Sequence, residues 1–244
     1  RINPMFSYIY HLVIFDLLYN GLIFLLHLFP WMDAGIAVIV FTIIVRLILF
    51  PLSKKSIVAQ VRMKEIAPEL EKMKKTITDK QLQATKIMEL YKEKGINPFT
   101  SIFLLLLQLP IIYALYHIFV LSGLPSVNEV VLYKSIFSSF PTINMEFLGL
   151  FDISTRSIPL SLLASVAQFL QLHFSLSINP TDEKFGANPA QDAMKYMKYV
   201  FPVMIFLISY KVSAVVAIYW TVTSLFTLGQ ELVVRKHIKN HQPI

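Results

Sequence analysis

The sequence predicts an all-α polytopic membrane protein: five transmembrane helices, an N-terminal interfacial helix and a cytoplasmic helical hairpin. Composition, charge gaps and charge placement carry this reading. The 244 residues are 55% apolar and 15% charged, against roughly 25% charged in a soluble domain. Mean hydropathy is +0.60. A soluble core of this size has no room for that apolar surface, so the solvent is a bilayer. No Asp, Glu, Lys or Arg falls in Gly95–Asn128, Ser157–Thr181 or Val212–Gln230, and Ala34–Ser53 carries Arg46 alone. Each stretch is long enough, or within a residue of it, to supply the ~20 residues a spanning helix needs. Strand-period alternation is absent, against a β-barrel. With no Cys and 7 Gly, disulfides, thiolate metal sites and Gly-rich phosphate loops have little to build on.

Charge placement orients the chain. The net charge is +7, and 11 of the 22 Lys and Arg lie in Lys54–Lys94. Basic loops stay in the cytoplasm. The tail, with Arg235, Lys236 and Lys239, is basic too. The loop Gly123–Arg156 has Lys134 and Arg156 against Glu129, Glu146 and Asp152, which places it outside. Membrane topology accounts for the basic segment without sequence-specific nucleic-acid binding.

The elements follow in order. Residues 1–33 read as an interfacial helix, because Asp16, Asn20 and His27 fall on one stripe; a sixth span is the competing reading. The chain opens on Arg1, which leaves its natural start open. Span 1 is Ala34–Ser53, ending at Pro51 before Lys54 and Lys55. Residues 54–97 form the hairpin, with Val58, Val61, Ile66, Leu70, Met73 and Ile77 at helical intervals and a kink at Pro68. Thr78-Asp79-Lys80-Gln81 reads as a capping box opening its second helix, which stops at Gly95. Asn97-Pro98 then starts span 2, residues 98–121. The outer loop is 122–156, span 3 is 157–178, and a cytoplasmic loop fills 179–192. A single helix over Tyr199–Gln230 would be about 48 Å long, too long for a core of about 30 Å. It is therefore divided at Lys211-Val212-Ser213 into span 4, 193–210, and span 5, 212–232. Lys195 and Lys198 snorkel at the inner end of span 4. The tail is 233–244.

Arg46 is the most informative residue. A mid-bilayer charge costs about 2.5–3.5 kcal/mol on insertion scales, yet no acid lies within the spans beyond Asp192 and Glu231 at their margins. Either Arg46 snorkels to the inner headgroups, or it faces a hydrated cavity with its charge available to a guest. Polar stripes favour the second reading. Ser157, Ser161, Gln168 and Ser175 share a line on span 3, flanked by Ser165 and Gln171. Ser213, Trp220 and Thr227 share one on span 5, beside Thr223 and Ser224. Thr42 lies one turn above Arg46, and Ser101 and Gln108 are seven residues apart. Ordinary helix packing also uses such residues, but four stripes beside an unneutralised Arg fit a polar groove. No HExxH, GxSxG or Walker sequence occurs, against hydrolases and ATPases. Neither a metal nor another cofactor is expected.

The run FTIIVRLILFPLSKK at Phe41–Lys55 resembles the signature of the YidC/Oxa/Alb family of membrane protein insertases. So do APELEKMKKTITDKQLQATKIMELYKEKGINPF at Ala67–Phe99, LLLLQLPIIYALYHIF at Leu104–Phe119, MKYVFPVMIFLIS at Met197–Ser209 and AIYWTVTSLFTLGQELVVRK at Ala217–Lys236. The series runs from about residue 4 to 236, in order. The resemblance implies a non-enzymatic insertase and membrane chaperone in the bacterial plasma membrane, with a hydrophilic groove open to the cytoplasm and closed outside. The family's intramembrane Arg matches Arg46, its groove Thr matches Thr42, and its substrate-contacting aromatic matches Trp220. With Gln108, Ser101, Gln168, Ser161 and Ser224 these are the expected substrate-binding groove. Expected partners are nascent membrane proteins, the ribosome, the Sec translocon and membrane lipids. Two local departures are Thr100-Ser101-Ile102 for Gly-Gly-Cys and Val215-Val216 for Gly-Leu. The reading from another class is a secondary transporter or channel binding a small anion at Arg46.

Overall fold

The computed structural model describes residues 10, 14–97, 99–121, 124, 142–177 and 189–241. These residues are mostly helical: α1 Asp16–Leu28, α2 Ala34–Ile48, α3 Phe50–Glu65, α4 Ala67–Thr76, α5 Lys80–Glu93, α6 Phe99–Tyr116, α7 Ile158–Ser177, α8 Pro189–Val212 and α9 Ala214–His241. A π-helical turn, His117–Leu121, extends α6. Most of the expected outer loop and residues 179–188 of the expected cytoplasmic loop 179–192 lie outside the described residues, while 189–192 belong to the first turn of α8. The chain divides into two units, Arg1–Ile48 with Gln108–Leu228 and Leu49–Leu107 with Gly229–Ile244.

In the first unit, Phe15, Tyr19, Leu22, Ile23, Val38, Ile118, Val215 and Val216 form one fully buried core. Helices α1 and α2 pack closely at Gly21, where a Cβ would come 2.6 Å from the Phe41 ring. On α1, Asn20 is buried and donates to the Asp16 carbonyl at 2.7 Å, while Leu17, Phe24 and Leu28 are exposed. The exposed face of α1 is thus apolar, not the polar stripe expected of an interfacial helix. An apolar surface is what lipid solvates, and Asn20 meets its hydrogen-bonding need inside. Helix α7 has the same inverted pattern. Ser157, Ser161, Gln168 and Ser175 are buried, and Leu162, Leu163, Val166 and Leu170 are exposed. Its Ser165 Oγ donates to the Pro202 carbonyl of α8 at 2.9 Å.

A short antiparallel ribbon, β1 Glu146–Phe147 and β2 Phe151–Asp152, lies before α7. Two-residue strands have no alternation to read, which is why the sequence gives no sign of them.

Several boundaries differ from those read in the sequence. Span 1 was expected as one helix to Ser53, but helix breaks at Leu49 and resumes at Phe50. Pro51 has no N–H to continue the earlier helix and suits the first turn of a new one. The second unit likewise has three short helices where two were expected, because α3 ends at Glu65 and Pro68 sits in the first turn of α4. Ile66, Leu90 and Ile96 form its small core, with Met63, Leu70, Met73 and Tyr91 against them. Helix α5 is capped by Asp79, whose Oδ1 accepts from Gln81 N at 2.8 Å and Leu82 N at 3.3 Å. The cap is Asp79 where the box had placed Thr78. Exposed Lys86 and Glu89 pair at 2.7 Å, and the hydrogen bond and charge of Glu89 hold the Lys86 pKa above its ordinary value.

Among the described residues, the window Ile158–Ser175 is long and apolar enough to cross a membrane alone. Ala34–Ile48 and Phe50–Met63 pass that test only as a pair, and Asp16–Leu28 and Gln108–Phe119 are shorter apolar helices.

Candidate functional site

Two polar networks lie inside the first unit. The first joins α2, α6 and α9. Arg46 Nη2 donates to Gln108 Oε1 at 2.9 Å. Gln108 Nε2 in turn donates to the Tyr219 hydroxyl. One amide thus uses both ends, its oxygen on a cation and its nitrogen on a phenol. Tyr219 is 4% exposed, whereas Arg46 is half-buried.

Arg46 was expected without an acidic partner in the spans. Among the described residues it makes no ion pair, and its hydrogen-bond partner, Gln108, is neutral. The distinction matters electrostatically: dipoles lower the cost of burying a cation without cancelling its charge. The positive field remains.

The second network joins α7 and α9. Gln168 Oε1 accepts from Trp220 Nε1 and from Ser224 Oγ, both at 3.1 Å. Gln168 Nε2 donates to Gln171 Oε1 at 2.6 Å. Gln168 and Ser224 are buried and Trp220 is half-buried. The indole is therefore oriented by a hydrogen bond as well as by packing.

Of the other expected residues, Thr42 is 4% exposed and its Oγ1 donates to the Val38 carbonyl at 2.6 Å. This back-bond within the helix satisfies the hydroxyl without another element. Ser161 is fully buried, and its hydroxyl has no partner among the described residues. It joins neither network. Ser101 lies in α6, with its side chain outside the described residues. The structure thus brings Arg46 to Gln108, and Gln168 to Trp220 and Ser224.

Tyr219 is the functional candidate that the sequence reading passed over in favour of Trp220. The two adjacent aromatics serve different networks, Tyr219 on the Arg46 side and Trp220 on the Gln168 side. About 100° of helix rotation per residue separates them. The missed signal was the phenol itself, a polar tip that needs a partner when buried.

Residues 25–241 match the model of a family described as 60Kd inner membrane protein. The chain is 33% identical to the "Membrane protein insertase YidC" of Clostridium tetani over 213 residues, 87% of this chain and 86% of that relative. It is 32% identical to the protein of the same name from Fusobacterium nucleatum over 203 residues, 83% of this chain and 86% of the relative. For that of Oceanobacillus iheyensis the identity is 29% over 208 residues, 83% of this chain and 74% of the relative.

Proposed function

The chain belongs to the 60Kd inner membrane protein family, and we propose that it is a membrane protein insertase that receives nascent membrane proteins in a polar groove and releases their helices into the bilayer. Insertases of this family are not ordinary enzymes, and the work is transfer between solvents. An incoming apolar helix gains free energy on entering lipid. A short polar segment ahead of it must cross, and polar groups inside the bundle give that segment partners which lipid lacks.

The observation that carries this reading is Arg46 held by the Gln108 amide, itself bonded to the Tyr219 phenol, with no carboxylate partner among the described residues. Such a cation attracts acidic residues of a guest. Gln108 bonds it and Thr42 lies one helical turn away, while Gln168 and Ser224 offer hydrogen bonds in the second network, with Ser101 and Ser161 on the same helices as Gln108 and Gln168. Trp220 is the aromatic contact for the guest's apolar part. Five spans, built on α2, α6, α7, α8 and α9, put Lys54–Lys94 and the basic tail in the cytoplasm by their charge. The segment around 142–157 is then outside, and the basic segments are where the ribosome and Sec translocon dock. The guest helix leaves laterally along α2 and α9. A small-anion transporter would use the same Arg46, but the relatives give it no support.

The test is reconstitution of the purified chain in vesicles with a stalled nascent membrane protein carrying a photo-crosslinker. Insertion with crosslinks to Trp220 and Gln168 is the expected result. Insertion without crosslinks to either network removes the groove, and anion flux without insertion removes the function.

A further inference from the structure

The segment from Asn144 to Thr155 bonds to the first turns of two of the helices that carry the site, α2 and α9. At α2, Ala34 N donates to the Asn144 carbonyl at 2.8 Å. The Asp33 carboxylate is divided between two tasks: Oδ1 caps α2 by accepting from Ile36 N at 2.8 Å, and Oδ2 accepts from Leu148 N at 3.0 Å. At α9, Ala214 N donates to the Thr155 carbonyl at 2.7 Å and Val215 N to the Ile153 carbonyl at 3.0 Å. First-turn N–H groups have no partner in their own helix, so this segment satisfies donors of two helices at once. Its Phe147 ring lies so close to Gly35 that a Cβ there would come within 2.4 Å of a ring carbon. Leu148 holds φ at +55°, a left-handed conformation that costs a non-glycine residue about 1–2 kcal/mol. Local preference does not favour that shape, so contacts with α2 hold it.

From this geometry we infer that residues 144–155 are a strap, latched by Asp33, that fixes the spacing of α2 and α9. Asp33 is then a positioning residue for the insertion site. Arg46 and Thr42 ride on α2, and Tyr219, Trp220 and Ser224 on α9. With both helix N-termini tied to one short segment, any parting of α2 and α9 hinges at the strap and widens away from it. For its consequence in activity the inference rests on the insertase reading; the spacing itself does not.

Asp33→Asn separates the two tasks of the carboxylate. Asn still caps a helix, but it has one acceptor oxygen where Asp has two, so the cap stays and the latch is lost. Gly35→Ala dislodges Phe147 without touching Asp33, and Phe147→Ala makes room again. The chain has 2 Trp, so Trp31→Phe leaves Trp220 as the only indole. In that background the full chain is reconstituted and read for helix content, acrylamide quenching of Trp220 and insertion of a membrane protein. The expected result for Asp33→Asn is unchanged helix content, Trp220 quenching raised about twofold and insertion reduced about fivefold. Gly35→Ala should act alike, and Phe147→Ala should reduce its effect, as coupling between contacting residues requires. Unchanged Trp220 quenching in folded Asp33→Asn overturns the inference, whatever insertion does. So does unchanged quenching in Gly35→Ala if Asp33→Asn does not fold. If the parent inserts nothing while Trp220 responds as expected, the insertase reading fails and the strap stands.

Discussion

Replacing Gln108 by Leu removes the acceptor of Arg46 Nη2 and the amide donor of the Tyr219 hydroxyl together. A hydrogen bond to a charged group is worth about 1.5–3 kcal/mol, and one between neutral groups in a membrane protein averages about 0.6 kcal/mol. Gln108→Leu should therefore destabilise the chain by about 2–3.5 kcal/mol. Arg46→Ala loses the same charged bond but also removes a cation that costs about 2.5–3.5 kcal/mol within the bilayer. The two terms largely offset, leaving a change between about 0.5 kcal/mol of destabilisation and about 2 kcal/mol of stabilisation. The double variant should then be more stable than Gln108→Leu alone. Unfolding of the four proteins by denaturant in bicelles, followed by circular dichroism, measures all three differences. If Arg46→Ala is the weaker single variant, or if the double variant loses the sum of both, the guanidinium is a structural tie and the reasoning fails. Activity gives a second reading. A carboxylate about 6 Å from the guanidinium gains about 3 kcal/mol at an effective dielectric of about 20. Partial exposure of Arg46 reduces this to about 1–1.5 kcal/mol, or roughly tenfold in occupancy. Arg46→Ala should cost that factor for a substrate with an acidic outer segment and spare its neutralised twin. Arg46→Lys should keep most of it, because the point charge remains.

Tyr219→Phe should lower stability by about 1 kcal/mol, read in the same titration, and Gln108→Leu/Tyr219→Phe should fall short of the sum of its parts. Gln168→Leu strands Trp220 Nε1, Ser224 Oγ and Gln171 Oε1; it should destabilise by about 2 kcal/mol and shift Trp220 emission, whereas Ser224→Ala should leave the emission unchanged. The chain has no Cys, so Lys211→Cys gives a single thiol; it should react with an impermeant maleimide from outside, and labelling from the cytoplasm alone would overturn the topology. Asp79→Ala removes the cap of α5 at a cost of about 1 kcal/mol, seen as faster amide exchange over residues 80–84 with the helices of the first unit unchanged.

The helices were legible where one element carried its own signal. The charge gaps around α6, α7 and α9 need only a count of ionised residues. The line Ser157–Ser161–Gln168–Ser175 needs only 3.6-residue periodicity. What the sequence concealed depends on a second element. Gln108 and Tyr219 are 111 positions apart, and nothing in either segment announces the other. The polar stripe of α1 was legible as a stripe, but its direction was not, because a buried and a solvated stripe have one periodicity. Asp33 was legible in part: an acid immediately before an apolar helix is a cap signal. Its second oxygen, bonded to Leu148, was not. Pro51 and Pro68 were seen as ends or kinks, and both instead fall in the first turns of new helices, where a missing N–H costs nothing.

The inverted polarity of α7 bears on how one bundle can both resist and accept a polar guest. Leu162, Leu163, Val166 and Leu170 are exposed on α7, as are Val200, Val203 and Leu207 on α8. In water such contiguous surfaces would drive association, whereas in lipid they cost little. Lipid then offers nothing to the polar residues, which turn inward and bond one another. The resulting networks are built from amides, hydroxyls and an indole, one of them around Arg46, and among the described residues neither includes a carboxylate. Each of those bonds is weak enough in a membrane, about 0.6 kcal/mol on average, to be exchanged for one with a passing peptide. A carboxylate bonded to Arg46 would be far harder to displace, since parting a buried ion pair costs about 3–5 kcal/mol. The neutral ligation of Arg46 by Gln108, backed by Tyr219, therefore suits the proposed site, which would hold its cation in place and still release it to each acidic guest in turn.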